Sequence, residues 1–219
     1  MAVEAEQGLR ARKKRQTRQL ITERAFALFA ERGFEGVTVA EVARAADVSE
    51  ATVFNYFPTK EDLIYQEMEE YEQHLIRTIR ERQPGETVLT AFRQLVVEPG
   101  GLLTDDDPAA EQRLAGSVRI VQESRALQAR ERRNFERYTQ LLAELIAEES
   151  GADPYDVEPR VVANALLGVQ QALLQYLRRN VLAAMPRDKL VWEIRRQGEQ
   201  ALALLEKGFA GYPGYRAGS

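Results

Sequence analysis

Residues 38–64 read TVAEVARAADVSEATVFNYFPTKEDLI, and this stretch decides the fold of the N-terminal part of the chain. Thr38 precedes a run with helical periodicity, and Glu41 follows three residues later. This spacing is typical of a capping box, in which each of the two side chains accepts a hydrogen bond from a backbone N–H group at the start of a helix. It predicts a helix over residues 39–45.

A second helix is predicted directly after a tight turn. Ser49 is an N-cap residue for a helix over residues 50–56, and Pro58 makes continuation of that helix unfavourable. The turn contains Asp47, which tolerates the left-handed backbone conformation better than most residues. Two short helices joined in this way are typical of a helix-turn-helix, whose second helix enters the major groove of DNA.

The predicted second helix carries side chains suited to DNA. Asn55 can pair with the edge of an adenine, and the hydroxyls of Thr52 and Tyr56 can donate to phosphates. Upstream, six basic residues and no acidic residue lie from Arg10 to Arg18. This cluster fits an arm that contacts DNA phosphates, and a purely solubilising arm is the alternative.

Residues 12–65 resemble the DNA-binding segment of the tetracycline repressor (TetR) family. The shared features follow one order along the chain: Phe29, Gly33-Phe34, Thr38, Val48-Ser49, Thr52, Tyr56-Phe57 and Pro58-Thr59-Lys60. The resemblance implies phosphate contacts from one set of side chains and base contacts from another. The implied phosphate contacts are Thr38, Thr52, Tyr56 and Lys60, and the implied base contacts are Glu50, Ala51 and Asn55. The predicted DNA-binding set also includes Arg12, Lys13 and Ser49.

Two positions depart from the family pattern. Asp47 stands where a turn glycine is usual, and Phe54 lacks a hydroxyl, which removes one expected phosphate contact. The resemblance nevertheless implies a ligand-responsive regulator whose dimer binds an inverted repeat in double-stranded DNA. We predict a repressor that an effector releases from DNA, and an activator role is left open.

The rest of the chain reads as helices separated by polar breaks. The first helix is predicted from about Arg12 to Gly33 after a mobile basic arm, and a fourth helix, capped by Thr59, ends near Pro84. Further helices are predicted over residues 86–98, 108–123, 126–150, 157–181 and 187–208. We therefore predict an all-α protein, with a DNA-binding domain over residues 1–60 and a ligand-binding and dimerisation domain over residues 61–219.

The resemblance also implies a homodimer formed through the last two long helices. These helices, at about residues 157–182 and 190–209, would pair with their twofold mates as a four-helix bundle. Small residues on the first of them permit a close crossing, and apolar residues on both fit burial. The small residues are Ala163, Ala165, Gly168 and Ala172, and the apolar residues are Leu166, Leu167, Leu173, Leu174, Trp192, Leu202 and Leu205.

The effector pocket is expected among the middle helices. Its candidate lining residues are Phe92, Val96, Leu114, Val118, Phe135, Tyr138, Leu142, Asn164, Val169 and Gln170. This mostly apolar set favours an apolar or amphipathic small molecule, although most members are expected to be simple core. The C-terminal third resembles the subgroup of the mycofactocin-system regulator, which implies acyl-CoA-like ligands. Phosphates of such a ligand could be neutralised by Arg119, Arg130, Arg132 and Arg133, and a solvated helix face is the alternative reading.

Composition narrows the remaining classes. The chain has 219 residues and no cysteine, which excludes disulfides and cysteine-based zinc sites. No run approaches the roughly 18–20 apolar residues of a membrane span, and no secretory signal is visible, so we expect a cytoplasmic protein without a membrane partner.

No catalytic constellation is visible either. His74 is the single histidine, and neither a phosphate loop nor a nucleophile elbow is present. We therefore predict no metal, no cofactor and no enzymatic activity. The alternative is a helical small-molecule carrier or enzyme whose N-terminal bundle is purely structural, which predicts no salt-dependent affinity for DNA.

Overall fold

The computed structural model describes residues 2–65, 68–98, 103–105, 107, 109–153 and 155–208, of which residues 2–11 and 68–70 are described by their backbone alone. Over these ranges the chain forms helices and their connections without a strand, which confirms the all-α prediction. The α-helices are α1 (Ala2–Arg32), α2 (Val39–Ala45), α3 (Glu50–Tyr56), α4 (Met68–Arg80), α5 (Val88–Val97), α6 (Ala110–Glu123), α7 (Arg125–Ser150), α8 (Val157–Leu182) and α9 (Arg187–Gly208). No helix in the described ranges has the length and apolar character needed to cross a membrane.

The predicted bounds of α2 and α3 agree with the structure, whereas those of α1 do not. The structure begins α1 at Ala2, where a mobile arm up to about residue 12 was predicted. Residues 2–7, Ala-Val-Glu-Ala-Glu-Gln, are mostly strong helix formers, and acidic residues favour the positive N-terminal end of a helix. The apolar periodicity begins only after this segment. A prediction based on that periodicity therefore placed the start of the helix too late.

The predicted fourth helix is divided into a 3-10 turn over Glu61–Leu63 and α4. Thr59 was predicted to accept a hydrogen bond as an N-cap, and this prediction is wrong. The N–H and the hydroxyl of Thr59 instead donate to Oδ2 of Asp62, over 2.9 and 2.7 Å. Lys60 takes the cap position of the turn and makes no side-chain capping bond.

The chain divides into two compact units. The first contains Met1–Gln66 together with Arg119–Arg130, and the second contains Glu67–Val118 together with Glu131–Ser219. The sequence predicted a boundary after residue 60 and a C-terminal domain that takes no part in the first one. The first unit differs from the prediction by residues 61–66 and by residues 119–130. The second stretch, the end of α6 and the start of α7, we call the α6–α7 corner.

The core of the first unit joins α1, α2 and α3 with the α6–α7 corner. Its largest fully buried side chains are Ile21, Phe29, Phe57 and Leu127. Ile120 and Val121, also in the corner, belong to the same apolar cluster. Residues more than 60 positions beyond α3 therefore complete the core on which α3 rests.

The second unit packs α4, α5, α7, α8 and α9 around one apolar core. Each of these helices contributes a side chain with no exposed surface, and these are Leu75, Phe92, Leu142, Leu166 and Leu202. Gly198 lets α9 approach its neighbours closely. A Cβ atom at this position would lie 3.3 Å from Cδ1 of Leu173 and 3.4 Å from Cγ2 of Val97.

The start of α2 is held by the predicted capping box. The N–H and the hydroxyl of Thr38 donate to Oε2 of Glu41, each over 2.8 Å, and the N–H of Glu41 donates back to Oγ1 of Thr38 over 3.3 Å. Nη1 of Arg32 also donates to Oε1 of Glu41, over 2.7 Å. The bonds that the carboxylate accepts, with that from Arg32 contributing most and those from Thr38 following, lower the pKa of Glu41 from 4.5 to about 2.

We expect Leu127→Ala to destabilise the first unit, because the leucine is fully buried among side chains of α1 and α3. Loss of a buried leucine costs about 2–5 kcal/mol. Urea unfolding measures the loss, and hydrogen exchange should accelerate at the amides of α2 and α3. Leu20→Ala, at a leucine that is 36% exposed on α1, is the matched control and should cost much less. Faster exchange confined to α7 would contradict this role of the corner.

The stability of the first unit should depend on pH through Glu41. Because its pKa in the folded chain lies below 4.5, the charged carboxylate stabilises the fold above that pH, and this contribution is lost as the pH falls toward 2. The Tm difference between the wild type and Glu41→Gln should therefore shrink between about pH 6 and about pH 3, followed by circular dichroism. Glu31→Gln, on the exposed side of α1, controls for loss of one surface charge. A Tm difference for Glu41→Gln that is constant over this range would overturn the assignment.

Candidate nucleic-acid interface and effector site

The turn before α3 has the predicted geometry. Asp47 adopts φ of 53°, the left-handed conformation that the tight turn requires. The N–H of Val48 then donates to the carbonyl of Ala43 over 3.0 Å, which closes the turn against the end of α2.

The start and the inner side of α3 are firmly held. Oγ of Ser49 accepts from the N–H of Thr52 over 3.0 Å, which confirms the predicted cap. The two hydroxyl oxygens of Ser49 and Thr52 lie 2.8 Å apart. Val53 and Phe57 anchor the helix in the core, because each is only 1% exposed. This short helix is therefore positioned by its cap and by its buried side.

The predicted DNA-binding residues fall into three groups in the first unit. Thr52, Tyr56 and Lys60 are half-buried. Those exposed in the helix-turn-helix are Thr38, Ser49, Glu50, Ala51 and Asn55, and those exposed on α1 are Arg12 and Lys13. Phe54, left without a role by the sequence analysis, is 47% exposed on the same short helix.

Lys60 is bonded within the first unit. Its Nζ donates to the carbonyl of Phe34 over 2.5 Å and lies 4.1 Å from the centroid of the Phe34 ring. Burial is the main cause that lowers the pKa of Lys60 below its usual value. Lys60 thus links the segment after α3 to the loop between α1 and α2. An ammonium has three N–H donors, so this bond leaves two of them for other acceptors.

An ion pair that the sequence did not indicate holds the segment after α3. Nη2 of Arg130 donates to Oδ1 of Asp62 over 2.8 Å, while Oδ2 of the same carboxylate accepts both bonds from Thr59. Both side chains of the pair are largely buried, at 25% and 17% exposure. Nε of Arg130 is buried and has no partner among the described residues. Asp62 and Arg130 are 68 positions apart, so no local pattern could have paired them.

The α6–α7 corner makes further hydrogen bonds inside the first unit. Oγ of Ser124 donates to Oε1 of Glu35 over 2.7 Å and accepts from the N–H of Leu127 over 3.2 Å. The hydroxyl of Tyr65 donates to the carbonyl of Leu127 over 3.1 Å. Arg130 was a candidate for binding effector phosphates, and in this structure its guanidinium is paired with Asp62. Arg119, Arg132 and Arg133 are exposed, as the solvated-face alternative expects.

The residues predicted to line the effector pocket differ in burial and in the clusters they join. Most of its candidates are packed side chains with at most 9% exposure, and these are Phe92, Val96, Val118, Tyr138, Leu142 and Val169. Leu114 lies against a separate small cluster that contains Leu103, Leu190 and Ile194. As expected for most of the set, these side chains fill the core.

Two candidates, Phe135 and Asn164, line a groove between α7 and α8. The groove has a volume of about 230 Å³. Its remaining lining residues are Arg132, Glu136, Thr139, Arg160, Leu167, Gly168 and Gln171. Apolar side chains, two guanidinium groups and the carboxylate of Glu136 thus share one concave surface, whose excess of positive charge suits an amphipathic anion.

Gln170, the remaining candidate, is bonded inside the second unit. The hydroxyl of Tyr71 donates to Oε1 of Gln170 over 2.6 Å, and the ring of Tyr71 lies 4.8 Å from that of Tyr138. Burial raises the pKa of Tyr71 far above its usual value. Tyr71 was not among the residues predicted to line the pocket. A tyrosine at a core position of a helix gives no local sign of the polar partner that it meets.

Comparisons with known proteins agree with this architecture. The family model described as bacterial regulatory proteins, tetR family, matches residues 21–66, and that described as MftR C-terminal domain matches residues 86–209. The second match confirms the predicted resemblance to the mycofactocin-system regulator. Among solved structures, Salmonella enterica GusR superposes with a TM-score of 0.51 at 19% identity, over 88% of this chain and 94% of GusR. SmeT, solved as a complex with triclosan, gives the same TM-score and identity over 88% of this chain and 91% of SmeT.

Curated relatives include the HTH-type transcriptional regulator TcmR of Streptomyces glaucescens. It is 30% identical over 179 residues, which are 78% of this chain and 78% of TcmR. The C-terminal model alone spans more than half of the chain. On the capped helix-turn-helix, the helical second unit and these matches, the chain belongs to the tetR family of bacterial transcription regulators.

Proposed function

We propose that two copies of this chain form a repressor that binds an inverted repeat in double-stranded DNA and leaves it when a small molecule binds. The observation that carries the proposal is the outer surface of α3. Glu50, Ala51 and Asn55 are exposed there, on a helix that Ser49 caps and Val53 anchors. Membership of the tetR family supports entry of this helix into a major groove.

Base contacts follow from the chemistry of the exposed side chains. The amide of Asn55 can bind N6 and N7 of an adenine together, and the carboxylate of Glu50 can accept from N4 of a cytosine. Ala51, with its small side chain, allows the helix to approach the base edges closely. In a twofold dimer the two copies of α3 would lie about 34–36 Å apart, in successive major grooves.

Phosphate contacts are assigned to hydroxyl and basic groups around α3. Because the hydroxyls of Ser49 and Thr52 are 2.8 Å apart, one donates to the other, and the second hydroxyl keeps its proton for a phosphate. Tyr56 offers another hydroxyl. The remaining phosphate contacts in this assignment are Thr38, Lys60, Arg12 and Lys13.

The surface proposed for dimerisation lies on α8 and α9. Val157 and Val161 of α8 are 74% and 51% exposed, and Trp192 and Leu204 of α9 are 59% and 71% exposed. Val157 and Val161 are four residues apart and so share one side of α8. Large apolar side chains left in water favour burial against a second copy, as expected for an isologous interface. The sequence analysis expected Trp192 to be buried, and dimerisation is what would bury it.

The effector is proposed to be an apolar or amphipathic small molecule, with acyl-CoA-like compounds as the class to test first. The groove between α7 and α8 holds about 230 Å³, below the roughly 300–1,000 Å³ of pockets for drug-sized ligands. A larger effector would either extend out of this open groove or require α7 and α8 to separate. Arg132 and Arg160 at this groove would bind an anionic end of the effector. SmeT, which shares the fold, binds triclosan in its solved complex.

We propose that α7 transmits the effect of the effector to the DNA-binding helices. The start of this helix belongs to the first unit, where Arg130 binds Asp62, and the rest of it belongs to the second unit. A shift of α7 caused by the effector would thereby disturb the segment after α3. A coupling of about 1–3 kcal/mol is typical of such linked sites.

The rival function is a helical carrier or enzyme in which the N-terminal bundle is only structural. Membership of the tetR family disfavours it, because the matched segment over residues 21–66 is that of bacterial regulatory proteins. We infer that the chain acts in the cytoplasm by binding rather than by catalysis.

Selection of genomic fragments by the purified protein tests this function. A shared inverted repeat among retained fragments is expected, and acyl-CoA compounds can then be tested for release of the protein from it. Enrichment of no fragment, also after refolding the protein free of bound small molecules, would favour the carrier instead.

On the selected repeat, Asn55→Ala should relax specificity at one base pair of each half-site and cost about 1–3 kcal/mol there. Binding titrations against all four base pairs at each position provide the measurement. Gln73→Ala, at an exposed amide of α4, is the control and should bind like the wild type. Wild-type affinity and base preference of Asn55→Ala would remove Asn55 from the interface.

Dimerisation is tested at Trp192, since the tryptophan is exposed and its replacement does not disturb the core. Trp192→Asp places charges at the twofold contact and should give monomers in analytical ultracentrifugation at micromolar concentration. Operator affinity should fall with it, because each monomer then holds only one half-site. His74→Asp, on the exposed side of α4, introduces the same carboxylate elsewhere and should stay dimeric. A dimer that persists in Trp192→Asp would place the interface on another surface.

A further inference from the structure

The side chain of Phe54 is exposed on α3, the helix proposed to bind DNA. Its exposure is 47%, and in the described part of the first unit Leu20 is the only other large hydrophobic side chain that is exposed. Neither the capping of α3 nor its packing requires a phenylalanine here, because Ser49 forms the cap and Val53 and Phe57 fill the core. The exposed ring therefore needs another explanation.

The position of Phe54 on the helix places it beside the base-reading residues. Successive residues of an α-helix are rotated by about 100°, so Ala51 and Asn55 point almost directly away from the buried Val53. Phe54 lies on one flank of this outer face, next to Ala51 at three residues' distance. Helical side chains lean toward the N-terminus, which brings the ring of Phe54 over the surface of Ala51.

The two flanks of α3 differ in chemistry. Thr52 and Tyr56 provide hydroxyls on one flank, whereas Glu50 and Phe54 share the other, four residues apart. The exposed carboxylate of Glu50 repels phosphates and can accept from base amino groups. The flank of Phe54 is therefore suited to the base edges, and the hydroxyl flank is suited to the sugar-phosphate backbone.

We infer that Phe54 is a specificity-determining residue that recognises the C5 methyl group of a thymine in each half-site. This inference rests on the DNA-binding function proposed above. Thymine is the one standard base with a methyl group in the major groove, and phenylalanine contacts it through apolar surface. The thymine would lie in the base pair bound by Asn55 or in a neighbouring pair, because Phe54 and Asn55 are adjacent on the outer face of α3.

Replacement of single thymines by deoxyuridine tests the inference, since it removes the methyl group and leaves base pairing intact. The operator obtained by genomic selection is substituted symmetrically, one position of both half-sites at a time. At one position, the substitution should weaken binding of the wild-type protein. The expected loss is about four-fold for each half-site, the effect of one buried methyl group, and about 16-fold when both half-sites are substituted.

Phe54→Ala provides the decisive comparison. It should bind the thymine operator more weakly than the wild type does, and deoxyuridine at the sensitive position should cause it no further loss. Phe54→Tyr keeps the ring and should keep the sensitivity to the methyl group. Leu20→Ala removes the other exposed apolar side chain of the first unit and should respond to deoxyuridine as the wild type does. Circular dichroism melts check that each variant is folded.

The possible outcomes separate this inference from the proposed function. If wild-type protein enriches no DNA, the repressor proposal and this inference both fail. If the wild type binds an operator but deoxyuridine weakens the wild type and Phe54→Ala equally, the methyl group is read elsewhere and the inference alone is overturned. If Phe54→Ala binds the operator more weakly but deoxyuridine at no position changes the affinity of the wild type, the ring contacts the sugar-phosphate backbone. That result would also overturn the inference.

Discussion

The arrangement of the first unit depends on burial of the α6–α7 corner against the helix-turn-helix. α2 and α3 have seven residues each, and helices this short are not stable in water without tertiary packing. The caps at Thr38 and Ser49 satisfy N–H groups at their starts, but the apolar surface comes from α1 and from Ile120, Val121 and Leu127. A recognition helix that is placed in this way cannot move independently of the start of α7.

The ion pair between Asp62 and Arg130 serves orientation more than stability. Desolvation of two charges offsets most of their attraction, whereas loss of one partner leaves an uncompensated buried charge that costs about 3–5 kcal/mol. Asp62 also accepts two hydrogen bonds from Thr59. Its carboxylate therefore links the segment after α3 to Arg130 at the start of α7. The unpartnered Nε of Arg130 indicates that the pair is not optimised for stability. An ion pair with these properties is suited to a contact that breaks or shifts when an effector binds.

Features that depend on neighbouring residues could be predicted from the sequence, whereas features that depend on contacts between distant residues could not. The bounds of α2 and α3, both caps and the left-handed Asp47 follow from neighbouring residues, and all of them are present. The reversed role of Thr59, the pairing of Asp62 with Arg130 and the bond between Tyr71 and Gln170 each depend on a partner that the tertiary structure supplies. The DNA-facing residues could be proposed because they lie on one short helix. The effector-site residues come from several helices, so apolar character alone could not distinguish lining from core.

The closed core of the second unit has a consequence for regulation. Candidates such as Phe92 and Leu142 are fully buried, so an effector that uses this space must bind a rearranged state in which they separate. The apparent affinity for the effector is then reduced by the small population of that state. Operator DNA binds the state in which α3 is positioned for the major groove, and it thereby lowers the population of the rearranged state further. By linkage, the effector lowers the affinity for DNA by the same factor by which DNA lowers the affinity for the effector. Burial of these candidates therefore does not argue against a sensor, because in the proposed mechanism their separation would provide the free-energy difference between the DNA-bound and the effector-bound state.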